Sequence, residues 1–206
     1  VNSLRSTRAL FESTRTMLPT DFTAELHCKY GQVGAADTPA LSLTSTAIDQ
    51  DGWLCTENTR PKNLGFTPIT FSFKFIDTID GKNHYRINAV GTWNFDGAKL
   101  ERNHNGWVGL YGTHIVGRIT DALNPFNHFF SAPHRWEIEV LDDWNGEAAS
   151  AEGKEFWLRD RWGYRVAQTE VEWSEITGRE RTLLYLNASN LDGEILKFHL
   201  RNIKVS

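Results

Sequence analysis

Cysteine is nearly absent from this sequence, with only Cys28 and Cys55 in 206 residues. Neither lies in a CxxC pair, so neither a thiolate metal site nor a disulfide framework is expected. A chain of this length buries roughly 70% of its unfolded surface on folding and needs no such staple. The two thiols are therefore expected to be buried, or joined once if the protein is exported. Long apolar runs are also missing, so neither a helical membrane span nor a secretory leader is expected in these residues, although a leader could already have been removed from a mature product. Positive charge is not in excess: 22 Lys and Arg against 26 Asp and Glu give a net charge of −4. The basic residues are scattered, which argues against nucleic acid or an anionic membrane as the partner. No glycine-rich phosphate loop, Rossmann fingerprint, GxSxG, EF-hand loop or HExxH occurs. Nucleotide-dependent chemistry, a resident cofactor and a metal are accordingly not expected.

Aromatic residues, by contrast, are plentiful at 12%, with eight Trp against a single Met. Rings of this kind fill cores and also stack on ligands. The first segment does not belong to the pattern that dominates the rest. Residues 3–18 place Leu4, Phe11 and Leu18 seven apart with Leu10 and Met17 beside them, an amphipathic helical stripe. Ser3 can cap it and Pro19 stops it. Residues 1–20 are thus expected to be a helix packed on a single β domain formed by 21–206.

From Asp21 onward the period becomes two. DFTAELHCKY alternates Phe22, Ala24, Leu26, Cys28 and Tyr30 with Glu25, His27 and Lys29. ITFSFKFIDTI alternates Ile69, Phe71, Phe73, Phe75, Asp77 and Ile79 with Thr70, Ser72, Lys74 and Thr78. HYRINAVGTWNF would place Tyr85, Ile87, Ala89, Trp93 and Phe95 on one face. Such alternation marks half-buried antiparallel strands. Asp80-Gly81, Asp96-Gly97 and Asn105-Gly106 supply tight turns. Near the end, parity slips between Leu200 and Ile203, which predicts a β-bulge.

About ten strands joined mainly by short turns predict an all-β fold with an antiparallel meander. In this pattern the chain resembles the calycin barrels. Their N-terminal Gly-x-Trp has no counterpart at the start of the β domain, since Gly91-Thr92-Trp93 lies mid-chain. A jelly-roll β-sandwich is the alternative, because alternation alone does not show whether a sheet closes.

The connection at 119–140, ITDALNPFNHFFSAPHRWEIEV, departs from the short-turn rule. Loops beyond about 12 residues are usually functional or disordered, and its aromatics disfavour disorder. His128 and His134 flank Phe129, Phe130 and Pro133, apolar surroundings that lower an imidazole pKa and favour the neutral base. Most of the other histidines, His104 and His114 among them, read as surface or capping residues. Asp77 shares parity with three phenylalanines and should point inward as a catalytic partner, or else cap the turn at Asp80-Gly81.

These residues define the leading expectation: a small-molecule-binding barrel with an aromatic pocket shaped by Tyr85, Trp93, Trp107, Tyr111, Phe129 and Phe130. Its chemistry would be that of a cofactor-free isomerase, cyclase or lyase using His128, His134 and Asp77. The ligand would be small and apolar or aromatic. A homodimer is compatible with this reading, and a cytoplasmic location is expected with secretion left open by the sequon Asn187-Ala188-Ser189. The alternative is a carbohydrate-binding or carbohydrate-active sandwich. It would use Trp53, Trp144 and Trp162 as platforms and the same-face acids Glu137 and Glu139, or Glu170 and Glu172. The plainer account of those acids is solvent exposure opposite a core face. For the tryptophans it is rings folded back to plug the ends of the fold.

Overall fold

The computed structural model describes residues 20–36, 52–60, 65–103, 105–111, 135–141, 144, 147, 150–174, 180–190 and 192–206. All of the regular structure among them is β. The helix expected at 3–18 lies outside the described residues.

Among the described residues there are fourteen strands, more than the ten anticipated. The first group is β1 (Phe22–Cys28), β2 (Gly31–Ala36), β3 (Gly52–Thr56), β4 (Phe66–Pro68), β5 (Thr70–Ile79), β6 (Lys82–Val90), β7 (Lys99–Arg102) and β8 (Val108–Tyr111). The second is β9 (Trp136–Val140), β10 (Phe156–Arg159), β11 (Ala167–Ser174), β12 (Glu180–Asn187), β13 (Glu194–Ile195) and β14 (Phe198–Val205). Eleven of them form one antiparallel sheet in the order β4-β2-β3-β8-β7-β6-β5-β1-β14-β10-β9. This is not a simple meander, because β1 sits between β5 and the last strand of the chain. The terminal strand β9 also pairs with β6, and β1 also pairs with β2. Hydrogen bonding therefore runs in a circuit β1-β5-β6-β9-β10-β14 and back to β1.

The core of these strands holds the side chains that the alternation singled out, with Phe156 and Phe198 added to them. Phe22, Phe71, Phe73, Tyr85, Ile87, Trp136, Ile138, Phe156, Phe198 and Leu200 are all buried. Phe22 stacks on Phe73 at 4.5 Å between centroids, and Tyr85 meets both rings edge-on at 5.9 and 6.4 Å. Each such pair adds about 0.5–1.5 kcal/mol beyond its buried area. Trp136, fully buried, donates its indole N–H to the Leu100 carbonyl at 2.9 Å, so its polar atom is satisfied.

Strands β2 and β3 escape sequence reading for a physical reason: both are buried on both faces. Val33, Ala35 and Leu54 join the main core, whereas Ala36 and Cys55 join a second one. A doubly covered strand does not alternate. What covers the second face is a small sheet, β12-β11-β13, whose Leu183 and Tyr185 pack on Ala36, Cys55, Trp53, Phe66 and Trp107. Cys28 and Cys55 are both buried and free, one in each core. A disulfide between them is thereby excluded.

Two bulges shape the outer surface. In β14 the pairing passes from Thr23↔Lys204 to Glu25↔Arg201, with Asn202 at φ 54°, where the parity slip was expected. The second was not expected. Ile76 is an extra residue in β5, so the register passes from Phe75↔Tyr85 to Asp77↔His84. Asp77 is thereby carried off the phenylalanine face and set beside His84, one-third exposed instead of inward.

Candidate functional site

The structure does not gather the described members of the expected pocket. Tyr85 is fully buried among Phe22, Phe73 and Phe75, and burial pushes its hydroxyl pKa up despite a hydrogen bond with Asn83. Trp107 is half-buried between the two sheets, edge-on to Trp53 at 6.3 Å. Tyr111 ends β8 and is half-buried opposite Lys99. Trp93 is 99% exposed. The parity that paired Trp93 with Tyr85 fails because β6 ends at Val90. There Gly91 turns the chain at φ 76° and donates its N–H to Asp96 Oδ1 at 2.9 Å. His128, His134, Phe129 and Phe130 lie outside the described residues, as do His104 and His114.

Around Asp77 the bulge instead assembles a charged face across β5, β6, β9 and β10. One Asp77 oxygen, Oδ2, pairs with Arg135 Nη1 at 2.8 Å. The other, Oδ1, lies 3.6 Å from Nδ1 of His84, and neither of these two buried atoms has a hydrogen-bond partner. His84 stands opposite Glu137 on its other side, and Lys82 Nζ reaches Glu137 Oε1 at 3.0 Å. A carboxylate facing one imidazole nitrogen is the arrangement that orients a histidine for proton transfer, and such contacts are often long before a ligand binds. His84 was missed in the sequence because nothing there shows that Asp77 has changed face. Arg135 is the chain neighbour of His134, so the far end of the long connection is tied to Asp77.

Glu137 and Glu139 do lie opposite Trp136, Ile138 and Val140, as their alternation required, but they are not free. Glu139 takes the guanidinium of Arg159 and lies 3.6 Å from Arg165, whose own guanidinium covers the Trp157 ring at 3.5 Å. Burial raises the Glu139 pKa, and the hydrogen bond and charge of Arg159, then Arg165 and Lys82, outweigh it and hold the group below its ordinary value. A glycosidase acid needs the opposite shift. Glu170 is exposed.

None of the three expected platform tryptophans presents a free face on a shared surface. Trp53 lies in β3 against Trp107 and Tyr185. Trp144 is buried and donates its indole N–H to Ser150 Oγ at 2.8 Å. Trp162 is half-exposed but carries the guanidinium of Arg102 at 4.0 Å and that of Arg161 at 3.9 Å from its ring centre. Two like charges that close to one centroid must take opposite faces.

Arg102 is also half of a buried ion pair with Asp160, 3.1 Å from Nη1 to Oδ2, and donates to the Ala188 carbonyl. Asp160 Oδ1 accepts the backbone N–H groups of Trp162 and Tyr164 at 3.0 and 2.8 Å. Burial dominates and raises its pKa against those bonds and the charges of Arg102 and Arg161. The pair thus pins the β10–β11 turn to β7. Nearby, Asn187 is 1% exposed and bonded to Asn105 O and Ser189 Oγ, so the folded chain does not offer the sequon to a glycosylating enzyme.

A second polar cluster lies on the outer face of β1 and β14. His27 and His199 are direct cross-strand partners with rings 5.8 Å apart. His27 Nε2 lies 2.9 Å from Glu25 Oε2, and Glu25 Oε1 accepts Asn202 Nδ2 at 2.8 Å. Burial first, then the charges of Arg201 and His27, lower the His199 pKa against the opposing effect of Glu155.

Among the described residues no helix is long and apolar enough to cross a membrane, and no group of three or more His, Cys, Asp or Glu side chains is set to hold a metal. Comparison of the chain with protein-family models, with curated proteins and with solved structures finds no match.

Proposed function

We propose that the chain binds a small apolar or aromatic molecule and transforms it by cofactor-independent proton transfer, as an isomerase, cyclase or lyase. The observation that carries this reading is the Asp77–His84 contact, with Oδ1 set 3.6 Å from Nδ1 and Arg135 holding the second oxygen. In this scheme Asp77 fixes the imidazole orientation and His84 Nε2 accepts a proton from an acidic C–H of the ligand. The C–H electron pair moves into the ligand's adjacent unsaturated group, and the proton returns to a different carbon. His84 ends as it began, so no co-reactant is consumed. His134, next to Arg135 in the chain, and His128 remain the candidates for the second acid or base, with Phe129 and Phe130 as apolar walls.

The same reading takes the pairing circuit as a closed six-stranded, calycin-like barrel. A barrel of so few strands is filled by its own side chains, in keeping with the stacked Phe22, Phe73 and Tyr85. The ligand would then bind at its rim, beside the β5–β6 hairpin, and not inside it. The sandwich alternative loses support from the placements of Trp53, Trp144 and Trp162.

The test is a screen of small aromatic and unsaturated carbonyl compounds read by imidazole signals in NMR spectra. Binders are expected to shift His84 and to be lost in His84→Gln and Asp77→Asn variants that keep the wild-type spectrum elsewhere. Binding and turnover unchanged in both variants would refute the proposal, as would a screen in which no compound moves His84.

A further inference from the structure

The seam between β1 and β14 carries a feature that no local spacing announces. We infer that His27 and His199 form a seat for one late first-row divalent cation, of the zinc or copper type, on the outer face of the sheet.

Geometry is the first argument. Two imidazoles bound to one ion, each nitrogen at about 2.0–2.1 Å, place their ring centres roughly 5–6 Å apart. The rings of His27 and His199 are 5.8 Å apart and 28° from parallel. They project from directly opposed positions of an antiparallel pair, so the backbone holds their separation.

Orientation is the second. The 2.9 Å contact sets the Glu25 carboxylate against His27 Nε2, so Nδ1 is the ring nitrogen turned away from it. This carboxylate–imidazole pairing is the usual support behind a metal-bound histidine. Glu25 is itself held by Asn202, whose positive φ belongs to the β14 bulge. Bulges often re-aim a side chain beside a functional position. The chain Asn202–Glu25–His27 is thus positioned from the backbone outward. Gln32 is the partner of His27 on its other side, and Glu155 offers a negative charge near His199.

Access is the third. Both rings are partly accessible, which leaves the remaining coordination positions to water. Imidazole ligation favours copper and zinc over magnesium or calcium.

The experiment titrates the full chain with Zn2+ and with Cu2+ in non-chelating buffer at pH 7.5, using calorimetry and, for copper, EPR. One equivalent should bind, and the copper spectrum should show coupling to two nitrogens. His27→Asn and His199→Asn should each weaken binding at least tenfold. Glu25→Gln should weaken it by about 10–100-fold through loss of the orienting bond. Mg2+ should not compete. Circular dichroism would confirm that the variants fold, as expected for outward side chains. No saturable binding up to about 1 mM metal, or binding that survives in the double variant, would overturn the inference. Neither outcome bears on the Asp77–His84 proposal, whose readout is the His84 imidazole.

Discussion

Replacing Asp160 should be among the most damaging single changes on the polar side of this molecule. Its carboxylate is 3% exposed, receives two backbone N–H groups and faces Arg102, itself 11% exposed. Asp160→Ala leaves that guanidinium buried without its counter-charge, which typically costs about 3–5 kcal/mol. Asp160→Asn keeps one acceptor for the turn and should lose about 2–3 kcal/mol. Arg102→Met leaves a buried carboxyl whose pKa is already raised by burial, and removing the cation raises it further. A group with a raised folded pKa favours the folded state below its unfolded value and loses that contribution as pH rises through the folded one. The Arg102→Met penalty should therefore be larger at pH 7 than at pH 4.5. Urea unfolding followed by Trp fluorescence and circular dichroism at both pH values measures this. The double variant Arg102→Met/Asp160→Asn should retain more stability than the sum of the single losses predicts, with coupling of about 0.5–3 kcal/mol. An Asp160→Ala loss under about 1 kcal/mol at pH 7, or an Arg102→Met loss equal at both pH values, would refute the reasoning.

Three further outcomes are expected. Gly106→Ala should cost more than Gly163→Ala, although both have φ near 87°, because only at Gly106 would a Cβ meet Ser189 Cβ at 2.6 Å. Strain alone accounts for about 1–2 kcal/mol at each, and the excess in urea unfolding reports how tightly the β7–β8 turn docks on the end of β12. Folding stability should fall as pH drops below about 6.5, because His199 resists protonation in the folded chain, and below about 4.5 as Glu25 and Glu139 lose their ionised contacts. His199→Gln should flatten the first slope and leave the second, as chemical denaturation across pH 4–8 would show. Cys28 and Cys55 should both resist a thiol reagent until the chain unfolds, since both are buried and burial pushes the Cys55 pKa up to about 12. Rapid labelling of either in the native protein would contradict that packing.

Much of the fold was legible wherever one face of a strand is wet. Phe22, Ala24, Leu26 and Cys28 are buried and Glu25, His27 and Lys29 are not, as alternation required, but the strand ends at Cys28 and Tyr30 lies in the turn beyond it, not in the core. The β14 bulge was legible as well, because a parity slip is visible in a single strand. The bulge at Ile76 was not: isoleucine is apolar like its neighbours, so the extra residue leaves no mark on the pattern. That one residue decides whether Asp77 faces phenylalanines or His84. Trp53, expected as a platform, instead lies in a strand covered on both sides, which shows no alternation to recognise.

What the residues alone determined, then, is the local grammar: period two, turns at Asp-Gly and Asn-Gly, buried aromatics, and the absence of familiar cofactor motifs. The tertiary structure decided every pairing of distant side chains. His27 meets His199 only because the first described strand lies beside the last, and Arg102 meets Asp160 only because the β10–β11 turn folds onto β7. Periodicity is set by steric preferences of neighbouring residues and is written along the chain. Register across strands is set by the packing of the whole core, and no stretch of sequence carries it by itself.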